Sequence, residues 1–156
     1  LAGNDYSPQL DVEDHNMVLM QLDNGVQASY LQCHYTPDYW RNYTFIGTRG
    51  RIENDGDSGT AQIHLFTNRQ DTRSAPDVVH YLRPSAGGHG GSDPAIVAAF
   101  VDFVRNGTPP NTSPVAARNA VAAGVAATES VRTANRRVEI AALSQELIDY
   151  FENGQR

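Results

Sequence analysis

Hydrophobic positions change their spacing once along the chain, near residue 87. Before that point apolar residues come in short, partly alternating runs broken by Gly, Pro, Asn and Asp; after it they recur every three or four residues. The first pattern predicts strands and the second predicts helices. Asn16 to Leu22 and Val26 to Tyr35 are joined by Asp23, Asn24 and Gly25, a hairpin signal. Past a turn at Thr36, Pro37 and Asp38, Tyr39 to Ile46 reads as a third strand, and Gly47 and Gly50 flank a tight turn into Arg51 to Glu53. A loop from Asn54 to Gly59 follows. Ala61 to Thr67 and Val78 to Leu82, joined by a polar segment with Pro76, complete a meander of about six strands.

The helical half is as regular. Ile96, Ala99, Phe100, Phe103 and Val104 form one stripe, which Gly107, Pro109 and Pro110 stop. Pro94 opens this helix, with Ser92 or Asp93 as its expected cap. Ser113 and Pro114 start a second helix, Val115 to Ala134, whose stripe is Ala117, Val121, Gly124, Val125, Thr128 and Val131. Its other positions are mostly alanine, so it is expected to be the central buried helix. Val138 to Ile140 reads as a short strand and Ser144 to Phe151 as a terminal helix stopped near Gly154.

Strands followed by helices predict an α+β fold: a mostly antiparallel sheet with helices packed on one face. In the strands, Leu31, Cys33 and Tyr35 oppose Val26, Ala28 and Tyr30, and Tyr43 and Phe45 oppose Trp40 and Ile46, so both sheet faces are apolar. Two helices cover one face. The other is expected to be open for association, most simply as a homodimer through the sheet. Residues 1–14 read as an incoming connection and residues 15–156 as a single domain, because 156 residues do not hold a second full one.

Composition narrows the chemistry. There are 12 basic and 18 acidic residues, a net charge of −6, and no basic run, which argues against a nucleic-acid partner. All the basic residues are arginine, so no lysine amine is available as acid, base or Schiff-base former. Cys33 stands alone in an apolar run and reads as a buried small hydrophobe. No stretch has the length of a membrane span and no leader precedes Leu1, so a cytoplasmic protein without a membrane partner is expected; the missing initiator Met suggests a fragment. Neither a dinucleotide fingerprint nor a P-loop is present, nor H-E-x-x-H or paired C-x-x-C, and no cofactor-binding or metal residue is assigned. His34, His64 and His80 each sit on a different strand and could in principle converge on a metal, but no spacing constrains them.

The candidate ligand site is the loop where the spacing changes. Gly87, Gly88, Gly90 and Gly91 bracket His89, letting the backbone adopt positive φ and approach another surface closely. His89 reads either as a substrate-hydroxyl partner or acid/base group, or as a loop histidine that pins the turn. Asp93 reads as helix cap or ligand contact. Tyr35, Tyr39, Trp40 and Arg41 cluster around a turn, suited either to stacking and hydrogen-bonding a sugar-like ligand or to a core edge or interface.

Three motifs in order are similar to a known family: Gly47, Thr48, Arg49, Gly50, Arg51, Ile52 and Glu53; the loop from Gly87 to Pro94; and Ala127 to Arg132. Together they resemble the C-terminal domain of the glucose-fructose oxidoreductase / inositol dehydrogenase / rhizopine-catabolism (Gfo/Idh/MocA) family, from about Val12 to Ile140. The resemblance implies a substrate-binding and oligomerisation domain of an NAD(P)-dependent oxidoreductase acting on a sugar, inositol or related polyol. It implies a Rossmann domain upstream of Leu1, carrying the fingerprint and the catalytic lysine, so no catalytic residue is assigned here. The fragment is expected to be inactive alone and to hold no cofactor, with NAD or NADP bound by the full-length protein. The alternatives are a free-standing carbohydrate-binding or scaffold module, or the matching domain of an NAD-dependent glycosidase, some of which share a similar His-Gly-Gly-x-Asp loop.

Overall fold

A computed structural model describes residues 11–57, 60–69, 72, 75–83 and 86–154. Most of the expected incoming connection, the end of the loop at Ser58 and Gly59, and much of the segment before Pro76 lie outside the described residues. The architecture is α+β, with six strands and three α-helices among the described residues. The chain groups into two compact units, Leu1–Trp40 and Arg41–Arg156.

The first unit holds β1 (His15–Gln21) and β2 (Gln27–Cys33), paired antiparallel with Met17 opposite Leu31 and Val18 opposite Tyr30. The turn forms as its residues require: Gly25 takes φ 84 and Asn24 Oδ1 accepts from Val26 N at 3.1 Å. Asp14 O accepts from His34 N at 2.8 Å and carries the ladder one step further. Alternation puts Met17, Leu19 and Leu31 on one face, all largely exposed, and Val18, Met20 and Ala28 on the other, which is half-buried. This hairpin is therefore apolar on both sides.

The second unit holds β3 (Thr44–Gly47), β4 (Gly50–Asp55), β5 (Gln62–Phe66) and β6 (Val78–Tyr81), an antiparallel sheet in sequence order. The six strands thus form a two-stranded and a four-stranded sheet, where one sheet was expected. Of the expected third strand, Tyr39 to Tyr43 lie outside β3: Tyr43 O accepts from Asn54 N at 3.1 Å, and beyond it the Asn54 side chain binds the segment. Its Oδ1 accepts from Tyr43 N, and its Nδ2 donates to Arg41 O at 3.2 Å and Gly56 O at 2.6 Å. Strand β4 runs two residues beyond Glu53, pairing Asn54 with Ile63 and Asp55 with Gln62.

Register sorts the four-stranded sheet into unlike faces. Phe45, Ile52, Ile63, Leu65 and Val78 share one side, with His80 at its end. The other carries Arg51, Glu53, Gln62 and His64 beside Ile46, Phe66 and Val79. Arg51 lies 4.0 Å above the Phe66 ring and 3.2 Å from Glu53. The expectation of two apolar faces thus fails for this sheet, because alternation in β4 and β5 places their charged and polar residues together.

Helix α1 spans Ser92–Asn106, α2 spans Pro114–Arg132, and α3 (Gln145–Asp149) continues into a wide π-helical turn, Tyr150–Gly154. Ser113 caps α2 by accepting from Ala116 N at 3.2 Å, and Ser144 accepts from Leu147 N at 3.4 Å. Helix α1 ends at Gly107, φ 71, where Asn106 Nδ2 and the Thr108 side chain bond Asp102 and hold its carboxyl below the usual range. The expected cap at Ser92 or Asp93 is replaced by Gly91, left-handed at φ 88, because the Asp93 carboxylate is engaged elsewhere. Val138 to Ile140 is not a strand. It lines a groove of about 530 Å³ along α2 with Val121 and Val125, away from any strand edge.

The helices do not reproduce the expected packing. Ile96, Phe100 and Val104 of α1 and Val121 and Val125 of α2 are all more than 60% exposed, and α2 buries no residue fully. Among the described residues Ala61, at 4% exposure, is the one fully buried hydrophobic side chain. An alanine-rich helix is buried only where another surface comes close, and among the described residues α2 has only the Val138 to Ala141 segment along one side. No helix among the described residues is long and apolar enough to cross a membrane.

Two local devices hold the sheet and are open to test. Gly50 takes φ 152, and a Cβ there would run into the Phe66 carbonyl. Backbone cannot yield cheaply, so Gly50→Ala is expected to cost about 1–3 kcal/mol, read as an earlier melt in denaturant or heat; an unchanged melt would show that β4 and β5 part without cost.

Asp77 joins the end of β5 to the start of β6. Its carboxylate accepts from Thr67 N, Thr67 Oγ1 (3.0 Å), Asn68 N (3.1 Å) and Asn68 Nδ2 (2.6 Å). These bonds, the Thr67 amide first, lower its pKa from 3.8 to about 2. A depressed carboxylate stabilises the fold above its unfolded pKa, and that contribution is lost as pH falls through the folded one. The Thr67 and Asn68 amides are therefore expected to stay protected at pH 4 and to open near pH 2; a carboxyl titration of Asp77 centred at 3.8 contradicts this.

Candidate functional site

The glycine loop folds into a 3₁₀ turn, Gly88–Gly91, that leads directly into α1. Its conformation explains its composition. Gly87, Gly90 and Gly91 have φ of 107, 65 and 88, and His89 itself is left-handed at φ 49, ψ 45. A non-glycine residue seldom stays there without compensation. The compensation is a bond within the turn: His89 Nδ1 lies 2.9 Å from Asp93 Oδ1 and 3.0 Å from Oδ2. A side chain at Gly88 would displace Asp93 Oδ2, so the absence of a Cβ there leaves room for the carboxylate to fold back.

The pair stands in solvent, His89 85% and Asp93 57% exposed along their side chains. An exposed hydrogen-bonded pair of this kind contributes little stability, about 0–1 kcal/mol, so its geometry matters for orientation more than for folding. It leaves the imidazole edge with Nε2 accessible from outside.

The aromatic candidates fall in the first unit and Arg41 in the second. Tyr35 meets His15 edge-on, centroids 5.6 Å apart, while His15 bonds Asp14 at 2.7 Å. Thr36 Oγ1 donates to Asp38 O at 2.8 Å and closes the expected turn, beyond which Tyr39 and Trp40 are exposed. Arg41 is set by its neighbours: Asn54 holds its carbonyl and Asp57 lies 3.7 Å from its guanidinium. Neither Asn54 nor Asp57 was read as part of the site from sequence. The hairpin turn at Gly47 and Gly50, extended a few residues outward, sets Tyr43 beside Asn54 and is the signal that would have found them.

The histidines do not converge within the four-stranded sheet. His64 pairs with Val79, and His80 with Ile63, so adjacent strands place the two rings on opposite faces. No group of three His, Cys, Asp or Glu side chains able to hold a metal is found among the described residues. The glycine loop is also a poor seat for a pyrophosphate: the Asp93 carboxylate folds back over Gly88 in the first turn, where an anion would approach the helix amides.

The family model described as oxidoreductase family, C-terminal alpha/beta domain, matches residues 2–140, nearly the whole chain. The chain belongs to that family, as the order of its three motifs implied. No curated protein and no solved structure matches it.

Proposed function

We propose that this member of the oxidoreductase family is the substrate-facing and self-associating domain of an NAD(P)-dependent enzyme acting on a sugar, inositol or related polyol. The observation that carries the reading is the family match over residues 2–140, with the His89–Asp93 pair as its local support. In this reading the nicotinamide cofactor sits on a dinucleotide-binding domain outside this chain. Its residues agree: they include no lysine and no glycine fingerprint, and the one glycine-rich turn presents a carboxylate. What the cofactor supplies is the hydride acceptor or donor. What this chain supplies is a hydrogen-bonding imidazole, His89, with Asp93 beside it; Arg41 of the same unit, and Tyr35, Tyr39 and Trp40 of the other, are separate candidate substrate contacts. A cytoplasmic location goes with a soluble sugar or polyol substrate.

The test is the full-length protein, assayed with NAD and NADP against a panel of sugars and inositols. Turnover of at least one polyol is expected, and His89→Ala is expected to lower kcat/KM by about tenfold or more, roughly 1.4 kcal/mol, at unchanged melting temperature. A variant that melts early with full activity assigns His89 to the turn instead.

Self-association rests on the uncovered strands. Met17, Leu19 and Leu31 line one open face of the hairpin, and Phe45 and Ile46 stand out on the two sides of β3. Exposed apolar strand faces such as that of the hairpin are normally covered, and a second copy of the chain, meeting it through the same sheet face, is the simplest cover. Sedimentation at micromolar concentration is expected to give a mass twice that of the 17.0 kDa chain. A clean monomer sinks the dimer and leaves a missing domain as the cover.

A further inference from the structure

The loop fixes which nitrogen of His89 is on offer, as well as where the ring stands. At neutral pH a carboxylate has no hydrogen to give, so in the 2.9 and 3.0 Å contacts to Asp93 the His89 Nδ1 must be the donor. In a neutral imidazole the other nitrogen, Nε2, then carries a lone pair and only accepts. The backbone enforces this choice. With His89 left-handed and Gly88 lacking a Cβ, the carboxylate reaches Nδ1 from within the same turn and leaves Nε2 facing outward.

We propose that Asp93 is a positioning residue that holds His89 as its Nδ1–H tautomer, so that the loop selects ligand groups that donate a hydrogen bond. A polyol hydroxyl meets that requirement. A ligand carboxylate does not, since it would face a lone pair on Nε2 and the negative charge of Asp93 behind the ring. A carbonyl oxygen, being acceptor only, is refused for the first of these reasons. The proposal deepens the reading that His89 faces the substrate and rests on it for the identity of the ligand; the tautomer itself does not depend on it.

The experiment has two arms. Long-range proton–nitrogen correlation spectra of the histidine rings in this chain read the tautomer without any ligand. The wild type is expected to show His89 protonated on Nδ1. Asp93→Ala is expected to move the proton toward Nε2, Gly88→Ala to do the same by displacing the carboxylate, and Asp93→Asn to retain the wild-type form, because its amide oxygen still accepts. A tautomer unchanged in Asp93→Ala overturns the positioning role. In the full-length enzyme, Asp93→Ala is expected to raise KM for the polyol substrate about tenfold, with kcat changed far less and Asp93→Asn restoring KM. A shifted tautomer with unchanged KM overturns the ligand selection. An activity indifferent to His89→Ala removes the substrate reading while leaving the tautomer result standing.

Discussion

Most regular elements among the described residues have an apolar side left exposed, and the rest of the structure depends on that constraint. Ile96, Phe100 and Val104 follow one another along α1, Val121 and Val125 along α2, and Met17, Leu19 and Leu31 across the hairpin, all open to solvent. At about 25 cal/mol per Å² of apolar surface, burial is the dominant favourable term in folding, and it is the term this chain leaves unused. What remains is local. Ser113 and Ser144 cap helices, Gly25 and Gly50 close hairpins, and Asn54 and Asp77 tie loops to strands. Each satisfies backbone groups that would otherwise be left to water. None of them substitutes for a core. The proposed dimer and the proposed upstream domain are two ways of supplying the missing surface, and both follow from the same exposed stripes.

Features decided by neighbouring residues were legible in the sequence. The period of two before residue 87 and of three to four after it gave six strands and the helices in the right order, and Asp23 to Gly25 and Gly47 to Gly50 gave the two hairpins. Misreadings gather where a distant partner decides. Tyr39 to Tyr43 has strand composition, yet lies outside β3, and the Asn54 side chain binds the Tyr43 amide and the Arg41 carbonyl there. Val138 and Ile140 are β-branched and alternate with Glu139, but a strand needs a neighbour and this segment lies along a helix instead. The two apolar faces read from Val26 to Ile46 hold for the hairpin and fail for the four-stranded sheet, whose second face is set by Arg51, Glu53, Gln62 and His64.

The same distinction divides the candidate site. Tyr35, Tyr39 and Trp40 come from one compact unit and Arg41 from the other, and Arg41 takes its position from Asn54 and Asp57, more than ten residues away along the chain. His89 and Asp93 are four residues apart, joined through one turn whose glycines supply its dihedral angles and leave room for the carboxylate. Their geometry is closed within seven residues. A site element of this kind is set by local geometry, so a ligand that docks here meets an imidazole already bonded to Asp93. Preorganisation at that point costs a complex little ordering entropy, because the ring is oriented by a neighbour four residues away and not by a distant part of the chain.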